Sequence, residues 1–204
     1  MTNSDFQKKY ISSFDAAFKN IVVTDSSEKK IEYAEAVEKI VDLLIIVQQQ
    51  NKKVMMIGNG GSAGICSHMA VDYWKNGKIR ATAFNDTSLL TCLSNDIGFE
   101  EVFSKSIEMF ADAGDVTFCI SSSGKSKNIL NGADVSGNKK CITVTFSGFE
   151  ENNPLRKMGD FNFYVPAFSY GFVEILHNLI IHNILDYKMY LNDRIDIFNK
   201  NQPL

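Results

Sequence analysis

Two short segments carry the residue types that hold an anion: Gly58-Asn59-Gly60-Gly61-Ser62-Ala63-Gly64 and Ser121-Ser122-Ser123-Gly124-Lys125-Ser126. Each follows an apolar run and precedes a helix-like stretch. In such a strand-to-helix loop, free N–H groups and the positive end of the helix dipole favour negative charge. Glycines let the backbone approach a ligand, and hydroxyls add donors that follow phosphate oxygens. The chemistry implied is the binding of a phosphorylated small molecule. Taken singly, either loop also fits a tight turn with an N-cap serine; two such loops on strands expected to be near neighbours favour the ligand. The first also satisfies a relaxed dinucleotide pattern, Gly58-x-Gly60-x-x-Ala63, with Asp86 where a ribose-binding acid would lie. The serine loop is foreign to that signature and suits a terminal phosphate, so no nucleotide cofactor is expected.

The titratable candidates fall on predicted helices. His68 and Asp72 stand at i and i+4 behind the glycine loop and share a face. Glu174, His177 and His182 lie on the last helix. His177 and His182 are five positions apart, about 140° around a helix, so they cannot face one ligand. A carboxylate and a histidine beside a sugar phosphate are what an enolisation needs, one group to take a proton and another to return it or to polarise the carbonyl. The same set suits zinc. It also fits plain helix-face ion contacts and satisfied core histidines.

The elements that must position these groups are legible as periodicities. Phe6, Tyr10, Phe14, Ala17, Phe18 and Ile21 repeat at helical spacing, as do Ile31, Ala34, Val37, Val41, Leu44 and Ile45. These predict two amphipathic helices joined near Thr24-Asp25-Ser26-Ser27, where capping residues gather. After Lys53 come short apolar runs at 54–57, 79–84, 116–120, 141–146 and 161–165, the last closed by Pro166. Helical candidates at 63–76, 87–96, 100–111 and 126–135 alternate with them, and a final long helix covers 171–190. Strands alternating with helices predict βαβ units and a parallel sheet covered on both faces. The expected fold is α/β, a three-layer α/β/α sandwich with an N-terminal helical pair. In open parallel sheets ligands bind at the carboxyl ends of the strands, where both loops fall.

With 204 residues the chain is expected to form one domain: an N-terminal helical arm over 1–52 and an α/β core with its C-terminal helix over 53–190. A net charge of −3 gives no electrostatic reason to expect nucleic acid or an anionic membrane. Cys66, Cys92, Cys119 and Cys141 have no paired spacing and read as reduced thiols of a cytoplasmic protein. The N-terminus lacks a continuous apolar stretch, so neither secretion nor membrane insertion is expected.

Several motifs in order resemble the sugar-isomerase (SIS) domain, and more narrowly its phosphoheptose isomerase branch. They are Gly58-Asn59-Gly60-Gly61-Ser62-Ala63, Asn85-Asp86-Thr87-Ser88-Leu89-Leu90-Thr91, 94–103, Ala113-Gly114-Asp115-Val116 and 120–126. The similarity runs from about residue 5 to residue 190. It implies a flavodoxin-like sheet of five parallel strands, a homotetramer with active sites at subunit interfaces, and a cytoplasmic role in supplying heptose for surface polysaccharide. The implied reaction interconverts sedoheptulose 7-phosphate and glycero-manno-heptose 7-phosphate. The substrate would meet Asn59, Gly60, Gly61 and Ser62, then Asn95 and Asp96, then Ser121, Ser122, Ser123 and Ser126, with Asp72 and Glu174 completing the set. Asp72 and His182 are implied as the proton-transfer pair, and His68, Asp72, Glu174 and His182 as holders of one zinc ion.

Two of these positions depart from the family pattern. A glutamate of the family is here Asp72, one methylene shorter, and a glutamine is here Glu174, which adds a charge. The basic residue usual one turn after the base is Asn76 with Lys75 beside it, and an Asp-Arg-Ile stretch is replaced by Gly171-Phe172-Val173. Displacing a reacting group by about 1 Å can cost on the order of a hundredfold in rate. Glu174 and His182 also stand eight residues apart, about 12 Å along a straight helix. The alternative reading is a non-catalytic SIS protein that binds a sugar phosphate or a protein partner, resembling the bacterial protein that bridges copies of the replication initiator.

Overall fold

The computed structural model describes residues 2–198; Met1 and residues 199–204, the ends of the expected 1–204 domain, lie outside the described residues. In chain order the elements are α1 (Asn3–Lys19), β1 (Val22–Asp25), β2 (Lys30–Ile31), α2 (Tyr33–Gln49), β3 (Lys53–Gly58), α3 (Gly61–Lys75), β4 (Arg80–Ala83) and α4 (Thr87–Ile97). They continue with a 3-10 turn at Phe99–Glu101, α5 (Val102–Phe110), β5 (Val116–Ser121), α6 (Lys127–Asn138) and β6 (Ile142–Ser147). A second 3-10 turn at Pro154–Lys157, β7 (Phe161–Tyr164) and α7 (Tyr170–Asp193) complete the elements of the described residues.

The five apolar runs become five parallel strands in the order β7-β6-β5-β3-β4. Side chains of successive strand residues point to opposite faces, and this splits the core in two. Val54, Met56, Val116, Phe118 and Ile120 meet α2, α3 and α7 on one face. Met55, Ile57 and Cys119 meet Phe103, Ile107, Ile129 and Ala133 of α5 and α6 on the other. The expected three layers result. No helix among the described residues is long and apolar enough to cross a membrane.

The segment expected to be only a turn between two helices is a correction. Val22–Asp25 pairs antiparallel with β7 and Lys30–Ile31 adds outside it, so the sheet has seven strands among the described residues. The free edge of β7 would otherwise leave a row of backbone donors and acceptors unpaired, and β-branched Val22 and Val23 supply the strand. The polar cluster that suggested helix caps builds the hairpin turn, with the Asp25 carboxylate accepting from the N–H groups of Ser27 at 2.9 Å and Lys29 at 3.0 Å. Capping and turn-forming residues are the same types. The N-terminal helices are therefore separated by sheet, and α2 packs on α7.

Candidate active site

The strand order places β3 between β5 and β4, so the chain winds one way from β3 to β4 and the other way towards β5 and β6. Such a switch point opens a crevice at the carboxyl ends of the strands. Gly58 and Ile120 are register partners there, which sets the glycine and serine loops side by side. Between them lies a cavity of ≈ 250 Å³. Its walls are Asn59, Gly60, Gly61 and Ser62 on one side, Ser121, Ser122, Ser123 and Ser126 on the other, with Ile120, Tyr170 and Glu174. The bend that opens α3 has φ +54° at Gly60, a left-handed conformation that glycine adopts without a steric cost.

Hydrogen bonds hold the serine loop in shape. The Ser121 hydroxyl donates to Ser126 at 3.3 Å and accepts from the Gly124 N–H at 3.2 Å, and Ser123 accepts from the Lys125 N–H at 3.2 Å. The Ser122 hydroxyl is buried with no partner among the described residues. Lys125 pairs with Glu150 at 2.6 Å and does not line the cavity. Among the described residues the only charged side chain lining it is Glu174; the other polar groups there are hydroxyls, an amide and backbone N–H groups. Asn59, in the cavity wall, exchanges two hydrogen bonds with the buried Asn128 amide behind it, of 2.8 Å and 3.0 Å.

Further along α3 and α7 a second cluster forms. His68 Nε2 stands 3.4 Å from Asp72 Oδ2, and the rings of His68 and His182 are 5.6 Å apart. Ligand atoms of His68, Asp72 and His182 all lie within 4.8 Å of one another. Two imidazoles and a carboxylate are the donor set of many three-ligand zinc centres, so these residues fit a zinc ion. Glu174, the fourth expected ligand, is not in this cluster and faces the cavity instead. The Asn76 amide donates to Asp72 at 3.4 Å.

Asn95 and Asp96 are exposed on the last turn of α4, bonded to each other at 2.9 Å, and do not line the cavity. Asp86 caps α4, accepting from the N–H groups of Ser88 and Leu89, so it acts as a helix cap. His177 is fully buried, with Nε2 3.1 Å from the Ser147 carbonyl; burial pulls its pKa down to about 4, so it is neutral. Sequence reasoning missed three residues. Asp186 sits four positions after His182, on the same helical face, and burial together with the charge of Asp72 raises its pKa while His182 opposes. The i+4 spacing was the available signal. Tyr170, which lines the cavity and meets Phe149 edge-on at 4.9 Å, and Asn128 had none.

A glycine loop and a serine loop at the switch point of a parallel sheet define a class. Residues 15–148 match the SIS domain family. The chain is 35% identical over 167 residues to phosphoheptose isomerase of Helicobacter hepaticus, covering 79% of this chain and 85% of that protein. It is 36% identical over 156 residues to phosphoheptose isomerase of Sulfurimonas denitrificans, covering 74% and 80%. The solved phosphoheptose isomerase GmhA from Neisseria gonorrhoeae superposes with a TM-score of 0.78 at 26% identity, over 92% of this chain and 99% of that one. The chain belongs to the phosphoheptose isomerase branch of the SIS domain family.

Proposed function

We propose that the protein is an aldose–ketose isomerase acting on a sugar phosphate through an enediolate, converting sedoheptulose 7-phosphate to glycero-manno-heptose 7-phosphate. The observation that carries this reading is the cavity between the glycine and serine loops, with a His/Asp/His cluster farther along the same two helices. The phosphate sits at the serine loop, where the Ser122 hydroxyl is uncommitted and the N-terminus of α6 supplies positive potential. It does not sit at the opening turn of α3, because the Glu174 carboxylate already lies there. The sugar then runs past Glu174 towards His182. Those residues are eight positions apart on α7, about 12 Å of helix, a span that favours a long-chain sugar over a triose.

In this reading the Asp72 carboxylate removes the proton from the hydroxyl-bearing carbon next to the carbonyl and returns it to the neighbouring carbon. His182 moves the proton between the two oxygens. Remote binding energy from the phosphate positions the reacting carbons. His68, Asp72 and His182 are the residues that would hold zinc, which when bound polarises the substrate oxygens. We read residues 1–204 as one SIS domain of a cytoplasmic homotetramer. The exposed Phe6, Tyr10 and Ile11 of α1 suit a subunit interface.

The test is proton exchange. The purified protein is incubated with sedoheptulose 7-phosphate in heavy water, with and without zinc, and followed by NMR. Deuterium at the first carbon, lost in Asp72→Asn, is the expected result. Absence of exchange with this and shorter ketose phosphates overturns the isomerase reading in favour of a non-catalytic binding protein.

A further inference from the structure

We infer that Asn128 is a positioning residue: its buried amide locks the Asn59 amide in one orientation, so that Asn59 meets the sugar end of the ligand as a fixed hydrogen-bonding group. The inference rests on the sugar-phosphate reading of the cavity. Asn59 Nδ2 donates to Asn128 Oδ1 at 2.8 Å, and Asn128 Nδ2 donates back to Asn59 Oδ1 at 3.0 Å. The two residues are 69 positions apart, one on the glycine loop and one in the first turn of α6. Asn128 is 2% exposed, whereas Asn59 reaches the cavity.

Reciprocity is what gives the pair its direction. A lone asparagine amide can turn over and offer oxygen or nitrogen at similar cost. Turning either member of this pair would set N–H against N–H and oxygen against oxygen. Each carboxamide has two N–H donors and an oxygen with two lone pairs, and the pair uses one donor and one acceptor from each. Asn59 keeps a second N–H and a second lone pair, uncommitted among the described residues and held at a fixed angle. A ligand hydroxyl that meets such a group does not have to order it on binding. The serine loop holds the phosphate without help from Asn59, so the two ends of the ligand depend on different residues.

That division supplies the test. Affinities of the full chain for inorganic phosphate and for unreactive heptitol 7-phosphate, the substrate reduced at its carbonyl, are measured by calorimetry for wild type, Asn128→Leu and Asn128→Ser. The serine variant is small and polar and keeps the experiment readable if the leucine variant does not fold. Loss of one oriented hydrogen bond weakens heptitol phosphate about fivefold to tenfold, with inorganic phosphate changed less than twofold. Asn59→Ala gives the same loss, and combining it with Asn128→Ser adds nothing further. Unchanged heptitol affinity overturns the inference, and so does parallel weakening of both ligands, which is what loosening of the fold would produce. Wild type that binds neither ligand sinks the sugar-phosphate reading and this inference together. Wild type that binds both but exchanges no proton sinks only the isomerase reading.

Discussion

The Glu174 carboxylate, carried by α7, lies against the backbone of Gly61, the first residue of α3: a Cβ on Gly61 would stand 2.5 Å from it. Glycine at 61 is thus what allows an acid to rest on the opening turn of the helix, where the dipole favours negative charge. On the sugar-phosphate reading proposed above, that acid directs the phosphate to the serine loop.

Gly61→Ala tests this arrangement. The added methyl meets the end of a flexible side chain, so the carboxylate swings aside and stability changes by less than about 1 kcal/mol. The displaced acid intrudes on the ligand, and heptitol 7-phosphate affinity falls about tenfold by calorimetry. In an Glu174→Ala background the same substitution changes affinity less than twofold. Equal losses in both backgrounds would show that the acid at 174 is not what the methyl disturbs.

Ser122→Ala separates binding from stability. The hydroxyl is buried without a partner among the described residues, and such a group carries a desolvation cost of about 1–3 kcal/mol. Its removal leaves urea stability unchanged or slightly raised, while inorganic phosphate binds at least about fivefold more weakly. A variant that loses stability and keeps phosphate affinity contradicts the placement of phosphate at this loop.

The five-stranded core was legible because each strand is a short apolar run closed by turn residues, and the two loops because glycine and serine cluster nowhere else in that way. Strands β1 and β2 were hidden: Val22 and Val23 directly follow a helical repeat that ends at Ile21, and only the unpaired edge of β7, a partner 136 or more residues away, converts them to strand. The His68–Asp72 pair was readable from i, i+4 spacing. Its meeting with His182 depends on how α3 packs against α7, which spacing within either helix cannot encode. Glu174 was grouped with the metal ligands by resemblance, and the packing of α7 turns it to the cavity instead.

Zinc should stabilise the protein through His68, Asp72 and His182. A ligand that binds only the folded state adds about 2.7 kcal/mol at a concentration of one hundred times its Kd, which for a chain of this size raises Tm by roughly 5–10 °C. Melting curves with zinc and with a chelator check this. The shift disappears in His182→Ala and in Asp72→Asn and persists in Glu174→Gln, which lies outside the cluster. A shift lost in Glu174→Gln as well would place that carboxylate among the ligands.

His177 makes stability fall in mild acid. Burial lowers its pKa from 6.5 to about 4 in the folded protein, so between these values the unfolded chain binds more protons than the native one. Its contribution is fully present above pH 6.5 and is lost as pH falls towards 4, at up to about 1.4 kcal/mol per pH unit and about 3 kcal/mol in all. The ring cannot escape by turning outward, because Nε2 is tied to the Ser147 carbonyl and the side chain is enclosed by α7 and β6. His177→Gln removes the titration. At pH 7.5 the variant is the less stable protein, having lost packing around the ring. Its urea midpoint then declines more shallowly than that of wild type, and the gap between them narrows by pH 4.5. Carboxylates elsewhere contribute the same slope to both proteins and cancel in the difference. Parallel curves across this window would mean that the imidazole titrates alike in the folded and unfolded states.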